Sequence, residues 1–423
     1  MIRFRSGRLL YQILSSIEVR NPPTGEAHDH IRLRMLDVDA VEIATQVPGR
    51  WALWRHCHDV EGDPGEVILA SPSLVDVVRS MAGSESITLR PDPEGLDVVQ
   101  GLQEVDGKTI LQANRIVGVY CDDPQDFQLP AVPEQLLARV EGKALRDALG
   151  RLIKFAAYGT DDTRTCLLRV EPGYLTFIAA AKDAEACLLA IRVPAEHAQT
   201  GTWVMRGPAL SYWKVLAEGE VALYANPQTL ALLSDLGGAV VDVPPLNRLL
   251  EARSVLFDHS GPQAPIPLGR RIVDIQQLIS LLKTQLPPSR EPDSYRRNLV
   301  LHPYRGGLWI YRPGRPRERA IVRVQGLDEE SRLVDLATEF FPVAVNGPAL
   351  LAAAVIFLGY ARGGRDAQTA SLVTLQQVYT VRRPSGARVL IIRMFPAGDT
   401  DPQLCVALIG DNPDEVPDLD DVD

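Results

Sequence analysis

The sequence predicts an α+β protein of three similar domains, each with two helices packed on antiparallel β-sheet. Three observations predict it: a strand-then-helix unit occurs three times, a second helix recurs in step with it, and strand-like runs fill the intervals. The recurring unit reads Gly65-Glu66-Val67-Ile68-Leu69-Ala70-Ser71-Pro72-Ser73-Leu74, then Gly201-Thr202-Trp203-Val204-Met205-Arg206-Gly207-Pro208-Ala209-Leu210, then Phe341-Pro342-Val343-Ala344-Val345-Asn346-Gly347-Pro348-Ala349-Leu350. Each copy has proline in the first helical turn, where the missing N–H costs nothing and the fixed φ suits a helix. The tetrad Gly-Pro-Ala-Leu is identical at 207–210 and 347–350, and Leu74, Leu210 and Leu350 are spaced by 136 and 140 residues.

The first unit opens on a helix beginning Arg8-Leu9-Leu10, continues with strands over 31–36 and 41–47, and reaches its second helix at Leu74. There Leu74, Val75, Val78 and Met81 keep one apolar face, and strands over 86–89 and 96–99 follow. The second unit opens on a helix over 143–153. Strands over 166–170 and 174–179 precede its helix at Leu210, and strands over 220–224 and 229–233 follow. The third opens on a helix over 274–282, with strands over 299–302, 308–311, 372–375 and 388–394 arranged around its helix at Leu350. The opening helices keep step: Leu10, Leu145 and Leu278 lie 135 and 133 residues apart. Turn-rich junctions at 122–133 and 260–267 give domains 1–133, 134–262 and 263–410, with an acidic tail over 411–423.

Composition sets the outer limits. The 423 residues hold 44 Lys and Arg against 54 Asp and Glu, a net charge of −10, which excludes a chain that coats nucleic acid simply by being basic. The tail supplies −7 of that charge. Cys57, Cys121, Cys166, Cys187 and Cys405 are odd in number and scattered, with no C-x-x-C pair, which reads as reduced thiols in a cytoplasmic protein. The apolar run 9–14 is short and interrupted by Gln12, so no signal peptide is expected. The run 349–360 is too short for a bilayer, which needs about 20 residues.

With the triplication in place, the chain resembles the bacterial DNA polymerase III beta subunit, the sliding clamp, over nearly its whole length. Leu36-Asp37-Val38-Asp39-Ala40-Val41-Glu42-Ile43 resembles that family's Thr-Asp-Leu-Glu stretch, and Val345-Asn346-Gly347-Pro348-Ala349-Leu350 resembles the start of its last domain's second helix. Trp203-Val204-Met205-Arg206 falls where the family has an apolar strand ending Pro-Arg. Pro244-Pro245-Leu246-Asn247-Arg248-Leu249 resembles its Phe-Pro-Asp-Tyr-Arg-Arg-Val link between domains two and three. Two family segments differ. Ala180 to Leu188 stands in place of Ala-Thr-Asp-Gly-His-Arg-Leu, and the strand 404–409 with its acidic tail replaces the Met-Pro-Met-Arg-Leu ending.

The resemblance implies a non-enzymatic homodimeric ring of clamp domains that encircles duplex DNA without sequence preference, tethers a DNA polymerase and is opened by a clamp loader. No cofactor, metal or membrane is implied. DNA-facing candidates are Arg20, Arg79, Lys143, Arg146, Arg151, Lys154, Arg206 and Lys214, since a sliding ring needs weak attraction to phosphates rather than base contacts. The third domain is poorer, with Arg270, Arg271 and Lys283. The implied peptide cleft for partners falls on Leu168, Leu188, Pro244, Arg248, Leu249, Val406 and Leu408.

Other readings compete. A divergent clamp-like protein of a mobile element, repair system or specialised polymerase shares the same architecture. A metal-dependent nucleic-acid enzyme would use the H-x-H pairs His28/His30 and His56/His58, which sit in polar stretches read as loops. The arginine-rich stretch 296–323, interleaved with Tyr304, Trp309 and Tyr311, suits either single-strand stacking or, better, a hairpin with charged turns. Asp106-Gly107-Lys108-Thr109 is better read as a hairpin turn than as a phosphate loop. No nucleophile elbow or dinucleotide fingerprint occurs.

Overall fold

The computed structural model describes residues 1–17, 30–47, 50–70, 73–83, 86–92, 95–100, 103–105, 108–110, 113–116, 127–156, 165–181, 184–197, 199–245, 250–251, 254–258, 264–286, 298–304, 307–313, 315, 319–323, 340–363, 372–381, 388–397 and 403–410.

All six expected helices form. They are α1 (Gly7–Ile17), α2 (Ser73–Ser80), α3 (Gly142–Ala156), α4 (Gly207–Leu216), α5 (Ile275–Gln285) and α6 (Gly347–Gly363). Their starts have local causes. Ser6 Oγ accepts from Leu9 N at 3.2 Å, Asp274 from Gln277 N at 2.8 Å, and Asn346 from Ala349 N at 2.9 Å, satisfying first-turn donors of α1, α5 and α6. α4 has no side-chain cap at Arg206 and relies on Pro208 in its first turn.

Unit one contributes β1 (Ile2–Phe4), β2 (Ile31–Asp37), β3 (Ala40–Val47), β4 (Trp51–His58), β5 (Val60–Glu61), β6 (Val67–Ala70), β7 (Ile87–Asp92), β8 (Gly95–Gln100), β9 (Gln103–Val105), β10 (Lys108–Ile110) and β11 (Ala113–Ile116). Unit two contributes β12 (Gln135–Glu141), β13 (Thr165–Glu171), β14 (Tyr174–Ala181), β15 (Ala184–His197), β16 (Gly201–Arg206), β17 (Glu220–Ala225), β18 (Thr229–Ser234) and β19 (Gly237–Asp242). Unit three contributes β20 (Ile266–Asp274), β21 (Asn298–Tyr304), β22 (Gly307–Tyr311), β23 (Ala320–Arg323), β24 (Val343–Asn346), β25 (Leu372–Val381), β26 (Arg388–Pro396) and β27 (Leu404–Gly410).

Sheets join the units. At the first seam the order β12-β17-β18-β19-β4-β3-β2-β6 takes four strands from each of units two and one, with β19 antiparallel to β4 through pairs such as Val240↔Ala52. At the second, β16-β13-β14-β15-β27-β26-β25-β20 repeats the plan, with β15 antiparallel to β27 through Ala190↔Cys405. The far end of β15 also pairs with β12, so the two seam sheets are continuous. Two half-sheets remain at the chain's extremities, β11-β8-β7-β1-β5 in unit one and β23-β22-β21-β24 in unit three.

The helices lie on one side of these sheets, paired as α1 with α2, α3 with α4 and α5 with α6. Across the seams α1 meets α4 and α3 meets α6, giving the row α2-α1-α4-α3-α6-α5. One apolar core runs between row and sheets through all three units, including Leu10, Leu149, Trp213 and Leu350. On the opposite, outer side, smaller clusters sit at the seams under the segments that link one unit to the next.

Two sequence expectations change. His56 and His58 lie on β4 rather than in a loop. Leu53, Arg55 and Cys57 alternate toward the helices, and Arg55 Nη1 reaches Ser16 Oγ of α1 at 3.0 Å, so an inward arginine masks the strand pattern. Strand β15 was not expected from the sequence; it pairs antiparallel with β14, Ala180 opposite Leu188 and Ala181 opposite Ala184. The arginine-rich stretch forms the antiparallel strands β21, β22 and β23, with Arg319 over the Trp309 ring at 3.9 Å. β9 and β10 pair on either side of Asp106-Gly107, as a hairpin requires.

Candidate nucleic-acid interface and partner cleft

The open side of the helix row is where the basic candidates collect. Lys143 and Lys154 are exposed on α3, with Arg151 half-buried between them. Arg146 donates to the carbonyl of Ala217 at 2.8 Å and to Glu218 at 3.1 Å, where a cation meets the C-terminal end of α4. Lys214 projects from α4 beside Gly150 of α3, where an added Cβ would make only an ordinary contact with its Cε at 3.5 Å. Arg79 is exposed on α2, bonded to Asp76 at 2.9 Å and to the Tyr11 hydroxyl at 3.1 Å.

Arg206 departs from the set. As the last residue of β16 it pairs with Asp242 of β19 at 3.0 Å, tying together the two half-sheets of unit two. Arg20 lies outside the described residues. Reasoning from sequence missed Arg8, exposed on α1 in line with Gln12 and Ser15. The i, i+4, i+7 spacing of these three polar residues opposite Leu10, Ile13 and Leu14 was the available signal.

Around the open face the remaining groups are small or neutral: Ser15 and Gln12 on α1, Ser280 and Thr284 beside Lys283 on α5. Over the part of α6 whose exposure is described, 347–359, the exposed residues Ala352, Val355 and Gly359 carry no charge. Among the helices the acidic residues are Asp76 and Asp147. A chain of net charge −10 therefore presents a helix face on which cations predominate, centred on α3. A face of this sign is electrostatically suited to phosphates, an attraction screened by salt.

The cleft candidates split between the two sides of the second seam sheet. Leu168, Val406 and Leu408 are fully buried toward the helices, out of reach of a ligand on the outer side. Their sequence neighbours Leu167, Cys405 and Ala407 take the outer face, joined there by Leu188. Pro244 is buried where the link to unit three begins, and Arg248 and Leu249 lie outside the described residues. Over the outer cluster runs the link itself, with Leu250, Leu256 and Phe257 each 5% exposed.

Among the described residues no thiol is primed for chemistry, Cys121 lying outside them. Burial pushes Cys57 and Cys405 up to about 11, and raises Cys166 and Cys187 further. His56 lies 3.9 Å from Glu42, yet its burial holds the imidazole below its usual value and outweighs the carboxylate. His58 is exposed and His28 lies outside the described residues, among which no cluster of three potential metal ligands occurs. No helix among them is long and apolar enough to cross a membrane.

No family model matches the chain, and no curated protein does. Solved structures do. The DNA polymerase III subunit beta of Pseudomonas aeruginosa superposes with a TM-score of 0.64 at 14% identity, over 97% of this chain and 100% of that one. The beta subunit of Thermotoga maritima gives 0.69 at 8% identity over 97% and 100%. The Helicobacter pylori beta clamp, solved with a DNA ligase peptide, gives 0.63 at 11% identity over the same shares. The chain has the sliding-clamp fold. The agreement in fold thus runs from end to end at 8–14% sequence identity. Repeat spacing and seam pairing are what the sequence and the structure visibly share in their design.

Proposed function

We propose that this protein is a DNA sliding clamp. Two copies close head to tail into a ring around duplex DNA, with the helix row lining the bore and domains 1–133, 134–262 and 263–410 repeated around it. It acts without catalysis in the cytoplasm, tethering a DNA polymerase, and a clamp loader opens the ring. Processivity then comes from topological linkage, so affinity for the DNA itself stays low.

One observation carries the reading. At each internal seam the strand β4 or β15 of one unit pairs antiparallel with the last strand of the next, β19 or β27. By position in the repeat the remaining members of this series are β23 and β11, at opposite ends of the molecule. Among the described strands each has a neighbour on one side only. β23 against β11 of a second copy supplies the missing seam. The outer cluster Val300, Trp309, Tyr311 and Ala344 supports this, being half of a seam cluster, as does Ile321, 48% exposed on β23.

The test is topological. The protein should have a native mass twice its chain mass of 46.4 kDa. Once assembled on a nicked circular duplex it should co-elute with the circle and be released when a nuclease linearises it. A monomer at every concentration, or retention indifferent to linearisation, would overturn the proposal.

A further inference from the structure

We infer that the acidic segment 411–423, outside the described residues, acts as a third link and lies over the outer face of β24-β21-β22-β23 in its own chain. The inference rests on the threefold repeat and not on the clamp reading. The first link follows β11 and seats Phe127 over Ala44 and Leu69 of its own unit. The second follows β19 and seats Leu256 and Phe257 over Leu167, Ile178 and Val204 of its own.

Sheet register makes these one set of positions. Arg32 stands opposite Leu69 and Ala44 in unit one, and Leu167 stands opposite Val204 and Ile178 in unit two. Val300 stands opposite Ala344 and Tyr311 in unit three. Those three residues and Trp309 form the outer cluster of unit three, and among the described residues that cluster contains strand residues alone. They are buried, as Leu167 and Val204 are beneath the second link, so the positions match in burial as well as in register.

The segment after β27 has the sequence for this place. Asp411-Asn412-Pro413-Asp414-Glu415-Val416 parallels Asp122-Asp123-Pro124-Gln125-Asp126-Phe127 of the first link, identical at the first and third positions, acidic at the fifth and apolar at the sixth. Val416 thereby takes the part of Phe127. The start is also in place. β27 ends against β24, where an added Cβ on Gly410 would strike Val343 and come 3.2 Å from the Ala344 carbonyl. An extended chain gains roughly 3.3 Å per residue, so 411–423 can cross three strand spacings of about 4.8 Å with length to spare.

Charge agrees with the assignment. The segment has seven acidic residues and no basic one. The strands beneath it belong to the arginine-rich stretch, with Arg315 exposed and Arg319 over the Trp309 ring. Arginine holds both internal links: Arg32 donates to the Phe127 carbonyl at 2.9 Å, Arg393 to the Leu256 carbonyl at 2.8 Å, and Arg169 to the Asp258 carboxylate at 2.8 Å.

The experiment places the photo-crosslinker p-benzoylphenylalanine at position 416 of the full-length protein and maps its product by mass spectrometry. A mixture of heavy-isotope and unlabelled chains separates bonds within a chain from bonds between copies. The expected product joins 416 to residues 298–311 of the same chain. Attachment to the strands of the second seam, attachment to a second copy, or no product would overturn the inference. Ending the chain after Gly410 should also speed amide exchange in β21 and β22 roughly tenfold while leaving β2 and β3 unchanged. Unaltered exchange in β21 and β22 would overturn it as well, and if the shortened chain does not fold the crosslink decides. Native mass and retention on circular duplex report on the clamp reading alone.

Discussion

Lys143 and Lys154 are the residues on which weak DNA attraction should be measurable. Both are exposed on the open face of α3, whereas Arg146 and Arg206 already spend charge on Glu218 and Asp242. For K143A/K154A we expect duplex affinity to fall uniformly across sequences. The slope of log affinity against log salt should shrink by about 1.8 if both contact phosphates. A salt titration with two unrelated duplexes checks it, and an unchanged slope would remove α3 from the interface. Single residues were also where the sequence misled. Cys166-Leu167-Leu168 and Val406-Ala407-Leu408 are apolar without a break because the sheet is covered on both sides. A strand buried on both faces loses its period of two, so nothing in the string tells which leucine faces a partner.

At the level of elements, the six helices were legible because proline starts and one-sided apolar spacing are local signals, repeated three times over. β4 was hidden by Arg55 pointing inward, and β15 by Glu185, Arg192 and Pro194, which interrupt its apolar pattern. Arg169 and Arg393 gripping the link were invisible, since partners 85 to 137 residues apart leave no mark on local pattern. Helix packing makes its own prediction. Gly142 begins α3 against the end of α4, where an added Cβ would come within 2.5 Å of the Glu218 backbone nitrogen. Backbone cannot yield as a side-chain tip can, so G142A should destabilise the protein by about 1–3 kcal/mol. Denaturant unfolding measures this, and a neutral result would show that the α3–α4 junction is looser than drawn.

For the whole molecule, the decisive surface is the open edge of β23. Ile321 is exposed there while its neighbours Ala320 and Val322 are buried, as expected of a position awaiting a second copy. I321D should place a carboxylate in that joint and weaken self-association tenfold or more, about 1.4 kcal/mol or above. Sedimentation across a concentration series reads the change, and the melting of the monomer should stay close to wild type because the site is solvated in a single chain. A dimer of undiminished strength would mean that the copies meet elsewhere.

The links over the outer face have a consequence for how such a ring would fail under load. Each internal joint is riveted: a covalent strand crosses it, seats an aromatic side chain, Phe127 or Phe257, and is gripped by arginine. The joint between two copies has no covalent strand to cross it. A closed circle of six blocks therefore has four riveted joints and two plain ones. In the proposed ring, a torque shared by all six joints would part the plain pair first, making them the place where it opens.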